Sequence, residues 1–267
     1  MGGTGIADIL GQIVARRQER IADALVQETF PVPSAEPKRQ TPANNRFLSA
    51  LQEKRGRAVI AEVKMGSPSL GSLARRFEPL DLARSYADNG AAALSVVVEP
   101  DFFDGSYELL AACYETSGLP ALAKDFIVDP LQLYWAKRAG ASAVLLIAAL
   151  YSRDDLLEYA RLARAMGLVP LVETHTLSDL MKLEGALWEL VGVNNRDLNT
   201  FDVEIGTSLA LLPSLPAGAF KVAESGIASA ADLSLLRGAG YDAFLIGGAL
   251  LTADDPAAEL RQMLGGA

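Results

Sequence analysis

Glu62 and Lys64 stand two positions apart at the end of the apolar run Ala58-Val-Ile-Ala61. If that run is a strand, both side chains point to the same face. An acid and an ammonium held together there can bind an anion or move a proton, and they can equally form a structural ion pair. Lys124 closes a second apolar run, Pro120–Ala123, and Glu173 closes a third, Leu168–Val172. Taken singly, each suits a solvated strand-end charge as well as a working group. Lysines gathered around one pocket can hold an anionic substrate, and one of them can act as general acid.

Further polar groups follow the same rule of position. Asn194, Asn195, Arg196 and Asp197 follow one apolar run, Glu224-Ser225-Gly226 follows another, and Gly247-Gly248 follows the last. Asparagine can bond to hydroxyls and arginine can grip a carboxylate with two bonds; a plain turn with an Arg–Asp pair fits the same residues. Ser67 lies just after the first run. Glycine turns on neighbouring strands let backbone N–H groups approach a phosphate, as loops after the seventh and eighth strands of a β/α barrel often do. Phe103, Phe126, Leu198 and Phe201 would add apolar surface near these groups, and Leu145 lies inside an apolar run. His175 reads as a solvated residue near a helix start, and Cys113 as a small core residue within a helix.

Such residues share a site only if the chain brings run ends together. The apolar runs predict strands near 58–64, 92–98, 120–124, 142–147, 169–173, 189–193, 220–224 and 242–246. Helical spacing predicts helices near 79–88, 107–116, 130–138, 153–166, 177–185, 204–212, 229–237 and 256–264. Strands apolar on both faces and alternating with helices predict a parallel sheet covered by helices. Eight such units close into a (β/α)8 barrel of the TIM type, whose strand ends meet at one face. Residues 1–267 are expected to form this single domain. Within it, residues 1–45 form an N-terminal helical extension, with an amphipathic helix over 6–28 and a Pro-rich loop over 30–45, covering one end of the barrel. A short helix over 47–54 leads into the first strand.

Bulk composition narrows the partners. The chain has 267 residues and a formal net charge of −9. An acidic surface disfavours nucleic acid and anionic membrane, so an anionic small substrate needs a local basic pocket. One cysteine and one histidine leave no disulfide framework and speak against a Cys/His zinc site. No metal is expected. No Gly-x-Gly-x-x-Gly turn or Walker-type loop is present, so no nucleotide cofactor is indicated. No apolar stretch has membrane-spanning length and no signal pattern opens the chain, so a cytoplasmic setting is expected.

Several segments together resemble the indole-3-glycerol-phosphate synthase family. They are Ile60-Ala-Glu-Val-Lys64 with Ser67-Pro-Ser69, Phe102-Phe-Asp-Gly-Ser106, Lys124-Asp-Phe-Ile-Val-Asp129, Leu171-Val-Glu173, Gly192-Val-Asn-Asn-Arg-Asp-Leu198, Val222-Ala-Glu-Ser-Gly-Ile227 and Ala243-Phe-Leu-Ile-Gly247. The resemblance implies that 1-(2-carboxyphenylamino)-1-deoxyribulose 5-phosphate is closed, decarboxylated and dehydrated to indole-3-glycerol phosphate, a step of tryptophan biosynthesis, with no cofactor or metal. It implies Lys124 as general acid, Lys64 on the substrate carboxylate with Glu62 as partner, and Glu173 as acid/base for dehydration. Asn194 and Ser225 would orient the substrate, supported by Glu224 and Arg196. Ser67, Gly226, Gly247 and Gly248 would hold the phosphate. Phe103, Phe126, Leu145, Leu198 and Phe201 would enclose the anthranilate ring. The partner would be this phosphorylated small molecule alone, with the protein a monomer or weak homodimer. The chain departs from the pattern at Met65-Gly66, Leu70 and Gly248-Ala249, which removes possible phosphate contacts. Phosphoribosylanthranilate isomerase is a rival barrel but needs a strand-end cysteine, which Cys113 is not. A barrel that only binds and serves as a scaffold subunit is the alternative of another class.

Overall fold

In the computed structural model, residues 9–26, 45–67, 71–73, 76–198 and 200–265 are described. Eight parallel strands form a closed barrel: β1 (Ala58–Val63), β2 (Ala93–Val97), β3 (Ala121–Lys124), β4 (Ala143–Ile147), β5 (Val169–Thr174), β6 (Leu190–Asn194), β7 (Phe220–Glu224) and β8 (Ala243–Ile246). Each strand pairs with the next in sequence. β1 closes the ring against β8 through Ala58↔Ala243 to Ala61↔Ile246.

Strand alternation divides the core in two. Ala58, Ile60, Leu122, Leu145, Leu171, Leu190, Val222 and Leu245 belong to a cluster that fills the barrel. Their neighbours Val59, Ala61, Ala123, Leu146, Val172, Val191, Ala223 and Phe244 belong to the layer under the helices. This parity decides the site. Glu62 continues the inward series from Ala58 and Ile60, Lys124 follows Leu122, Glu173 follows Leu171, and Glu224 follows Val222.

The covering helices are α3 (Pro79–Asp88), α4 (Tyr107–Ser117), α5 (Pro130–Arg138), α6 (Arg153–Ala165), α7 (Leu177–Met181), α8 (Gly206–Leu211), α9 (Ala230–Ala239) and α11 (Pro256–Met263). A five-residue helix, α10 (Gly248–Thr252), precedes the last, and a hairpin pairs Gly66–Ser67 with Gly71–Ser72. Neither the hairpin nor α10 is expected from hydrophobic periodicity. Starts are fixed by side chains: Ser106, Ser152 and Ser229 each accept a backbone N–H at the head of α4, α6 and α9.

Among the described residues, two helices precede the barrel. α2 (Arg46–Glu53) seals the lower end, where Phe47 and Leu51 are fully buried against the inner cluster. α1 (Ile9–Val26) lies at the rim, with Ile21 packed on Leu131 and Trp135 of α5. The expected loop over 30–45 falls outside the described residues, apart from Asn45.

Candidate active site

The inward parity of β1 and β3 brings Glu62 between two ammonium groups. Its Oε1 lies 3.0 Å from Lys64 Nζ, and its Oε2 accepts a hydrogen bond from Lys124 Nζ at 3.0 Å. Burial works to raise the carboxyl pKa, but Lys124 and Lys64 outweigh it and hold Glu62 at about 2. Glu62 is therefore a fixed anion that aims both lysines. Gly247 at the end of β8 makes room for it, since a Cβ there would overlap the Glu62 carboxylate.

Lys124 faces three acids. Burial alone would depress its pKa, but Glu62, then Glu173 and Glu224, reverse the sign and raise it. The ammonium is charged at neutral pH, and 22% of the side chain remains exposed. Glu173 is 2% exposed, with Oε2 lacking a hydrogen-bond partner among the described residues. Glu224 is fully buried, and both its carboxyl oxygens lack such a partner. Burial, followed by the neighbouring Glu173, pushes the Glu224 pKa well above the carboxylate range. Gly192, on the strand between β5 and β7, admits this side chain, because a Cβ there would strike Glu224 Oε1. One acid in the barrel thus has its pKa lowered between lysines and another has it raised by burial and a neighbouring acid, a separation set by environment.

A cavity of about 500 Å³ opens over these groups. Phe103 and Phe126 form one wall, their rings stacked with centroids 5.9 Å apart. Leu145 contributes to its apolar lining, along with Leu198 and Phe201 from the loop after β6. That loop is tied to the site: Asn194 Oδ1 accepts the Arg196 N–H at 3.0 Å, and the Arg196 guanidinium donates to the Phe201 carbonyl at 3.1 Å. Phe201 (φ +62°) and Ser225 (φ +63°) both adopt the left-handed conformation, and Gly226 continues it at φ +74°. Non-glycine residues held there signal backbone shaped for function. Ser67, Gly226, Gly247 and Gly248 complete the mouth, and no side chain caps α10 above Gly247.

The rim is braced from outside. Asp125, next to Lys124, pairs with buried Arg17 of α1 and also accepts from Tyr107 Oη at 2.7 Å and Gln132 Nε2 at 3.0 Å. Arg20 of α1 holds Asp101 through two bonds of 2.5 and 2.8 Å. Buried Glu99 accepts the N–H groups of Asp101 and Phe102, shaping the segment that carries Phe103. Among the described residues there is no group of three or more His, Cys, Asp or Glu side chains that could hold a metal ion.

A model of the indole-3-glycerol phosphate synthase family matches residues 10–263. The chain belongs to the indole-3-glycerol phosphate synthase family. It is 42% identical over 265 residues to the indole-3-glycerol phosphate synthase of Azoarcus sp. strain BH72, covering 97% of this chain and 100% of that one. It is 41% identical over 261 residues to that of Burkholderia vietnamiensis, covering 97% and 99%. Solved structures show the same fold at low identity. 3-Hexulose-6-phosphate synthase from Salmonella typhimurium gives a TM-score of 0.60 at 19% identity, over 78% of this chain and 97% of that one. Thiamine phosphate pyrophosphorylase from Pyrococcus furiosus gives 0.58 at 14%, over 79% and 95%.

The residues picked out by the family resemblance converge here. Glu62, Lys64, Ser67, Phe103, Lys124, Phe126, Leu145, Glu173, Asn194, Arg196, Leu198, Phe201, Ser225, Gly226, Gly247 and Gly248 all line the cavity. Glu224 does not; it sits fully buried. His175 corrects the expectation of a solvated side chain. Its side chain is 7% exposed and Nε2 lies 3.3 Å from Glu173 Oε1. Cys113 is a buried helix residue, as expected. Asp125 and Thr252 line the cavity without having been singled out; Asp125 carried a signal in its place beside Lys124, Thr252 none.

Proposed function

We propose that this chain performs its family's reaction through the residues gathered at the barrel mouth. The substrate is 1-(2-carboxyphenylamino)-1-deoxyribulose 5-phosphate. The observation that carries this reading is the bridge from Lys64 through Glu62 to Lys124 over one cavity with an aromatic wall.

The chemistry follows from the positions. Ring closure forms a bond between the aniline carbon bearing the carboxylate and the ketone carbon, and the carbonyl electron pair moves to oxygen. Lys124 supplies the proton there. Its raised pKa does not forbid this, because the alkoxide forming at the ketone is a far stronger base than an amine. The ring closure leaves an iminium, which accepts the electron pair of the carbon–carboxylate bond as carbon dioxide departs. Lys64 faces the carboxylate until that point. Dehydration then needs one proton delivered to the new hydroxyl and one removed from the adjacent carbon, and Glu173 is the group assigned to that exchange. Arg196, Asn194 and Ser225 orient the chain of hydroxyls. The backbone around Ser67, Gly226, Gly247 and Gly248 takes the phosphate, where uncapped N–H groups at the start of α10 suit an anion. Phe103 and Phe126 exclude water from the ring.

All of these groups come from one chain, which supports a monomer or weak homodimer as the working unit. A phosphorylated biosynthetic substrate and a free buried thiol at Cys113 fit a cytoplasmic setting. The test is turnover of the substrate to a fluorescent indole by the purified protein; binding without turnover would favour a scaffold subunit instead. Lys124→Ala is expected to lower kcat at least about 10³-fold with an unchanged circular dichroism spectrum. Near-normal turnover in that variant would remove Lys124 from its role.

A further inference from the structure

His175 is the only histidine of the chain, and the barrel buries it beside an acid. It follows β5 by one residue and keeps the parity of Glu173, two positions back. Its backbone is locked at both sides. Thr174 Oγ1 donates to the Gly192 carbonyl at 2.8 Å. The His175 N–H donates to Asp179 Oδ2 at 3.1 Å, within the box formed by Thr176 and Asp179 at the head of α7. The imidazole has little freedom to leave the site. Nε2 stands 3.3 Å from Glu173 Oε1 without the alignment of a hydrogen bond, and neither ring nitrogen has a hydrogen-bond partner among the described residues.

A buried imidazole without partners is costly, and the one polar group within reach is the carboxylate assigned to dehydration. The other titratable groups around Glu173 are Lys124 and Glu224; on the α7 side Lys182 donates to Asp179 Oδ1 and to the Ala148 carbonyl. Glu224 adjoins the Glu173 carboxyl from the β7 side and interacts with it, while His175 Nε2 stands against Oε1. We propose that His175 is the positioning residue for Glu173: with its proton on Nε2, a small rotation of the ring lets it donate to Oε1 and hold Oε2 toward the reacting substrate. The inference rests on the reaction assigned above and adds to it what aims the acid/base.

The choice of tautomer makes the contact measurable without turnover. In untagged, ¹⁵N-labelled protein a single imidazole gives a single pair of ring nitrogens. Nε2 is expected to carry the proton and Nδ1 to be bare, with the Nε2 signal moving on Glu173→Gln. A proton on Nδ1, or a spectrum indifferent to Glu173→Gln, would overturn the contact.

Kinetics test what the contact does. His175→Leu fills the space without a donor and is expected to lower kcat about 10–100-fold while KM stays within about twofold. His175→Gln places an amide N–H at similar reach and is expected to recover most of the loss. In the Glu173→Gln background, His175→Leu is expected to add less than about twofold. Equal losses in the Leu and Gln variants, or a full additional loss in that background, would reduce His175 to packing. A wild-type protein that makes no indole would instead sink the assigned reaction, and the nitrogen spectra would then judge the His175–Glu173 contact alone.

Discussion

At the scale of the residue, the site is organised by carboxyl groups in opposite states. Glu62 is pinned as an anion by Lys124 and Lys64 at 3.0 Å each, while burial and Glu173 push the Glu224 pKa well above the carboxylate range. The second state has a measurable consequence. A carboxyl whose folded pKa is raised contributes fully to stability below its unfolded pKa and loses that contribution as pH rises toward the folded one. Glutamine mimics the neutral form and has no proton to lose. Glu224→Gln is therefore expected to match the wild type near pH 4.5 and to gain on it above. The gain is about 1.4 kcal/mol for each pH unit over which the native carboxyl stays neutral and the unfolded one is ionised. Thermal melts from pH 5 to 8 would show this; a variant that loses ground as pH rises would mean that Glu224 is ionised in the fold. Much of this residue pattern was legible, because the two-residue spacing of Glu62 and Lys64 fixes a shared face before any coordinates exist. The raised pKa of Glu224 was not, since it depends on Gly192 of the neighbouring strand leaving a space. His175 shares the parity of Glu173 two positions back, but it lies one residue beyond β5, outside the apolar run that marks that strand, so the strand rule stops short of it.

At the scale of the element, α1 acts as a brace on the rim. Its Arg17 reaches Asp125 across 108 positions of sequence, and its Arg20 reaches Asp101. One contact adjoins Lys124, and the other holds the segment leading to the Phe103 wall. Arg17 is 4% exposed and Asp125 1%, so removing the cation alone strands a buried carboxylate. Arg17→Met is expected to cost about 3–5 kcal/mol. Adding Asp125→Asn should return part of it, because the neutral amide no longer needs the cation. A double-mutant cycle read by denaturant melts gives the coupling; independent, additive losses would mean that α1 merely packs. Sequence periodicity marks α1 and all eight strands well, since apolar runs and helical spacing are dictated by which faces are covered. Short elements escape it. α10 has five residues and starts on glycine, the hairpin arms have two residues each, and the predicted 177–185 helix stops at Met181. α10 and the hairpin bury no periodic face long enough to leave a mark, and α7 left one that fixed its start but not its end.

At the scale of the whole molecule, the barrel separates stability from chemistry along its axis. The strands are four to six residues long, which at about 3.3 Å per residue sets the two ends roughly 15–20 Å apart. The groups proposed to act on the substrate occupy the C-terminal ends, as barrel enzymes arrange them. The opposite end is sealed by α2. Asn45 accepts the N–H groups of Phe47 and Leu48 to start that helix, and its amide donates to the carbonyls of Ser142 at 2.7 Å and Gly167 at 3.1 Å. One residue thereby joins the plug to the turns below β4 and β5. Phe47 fills the lower barrel with no exposed surface, and truncating it leaves a cavity that rigid strands cannot close. Phe47→Ala is expected to cost about 3–5 kcal/mol and to lower the melting temperature by roughly 10 °C. Turnover measured well below that transition should stay within about twofold of wild type, because Phe47 lies at the end of the barrel opposite the cavity and does not line it. A large loss of kcat in a protein still fully folded at the assay temperature would show that the two ends are coupled through the inner core, and the division of labour along the axis would have to be abandoned.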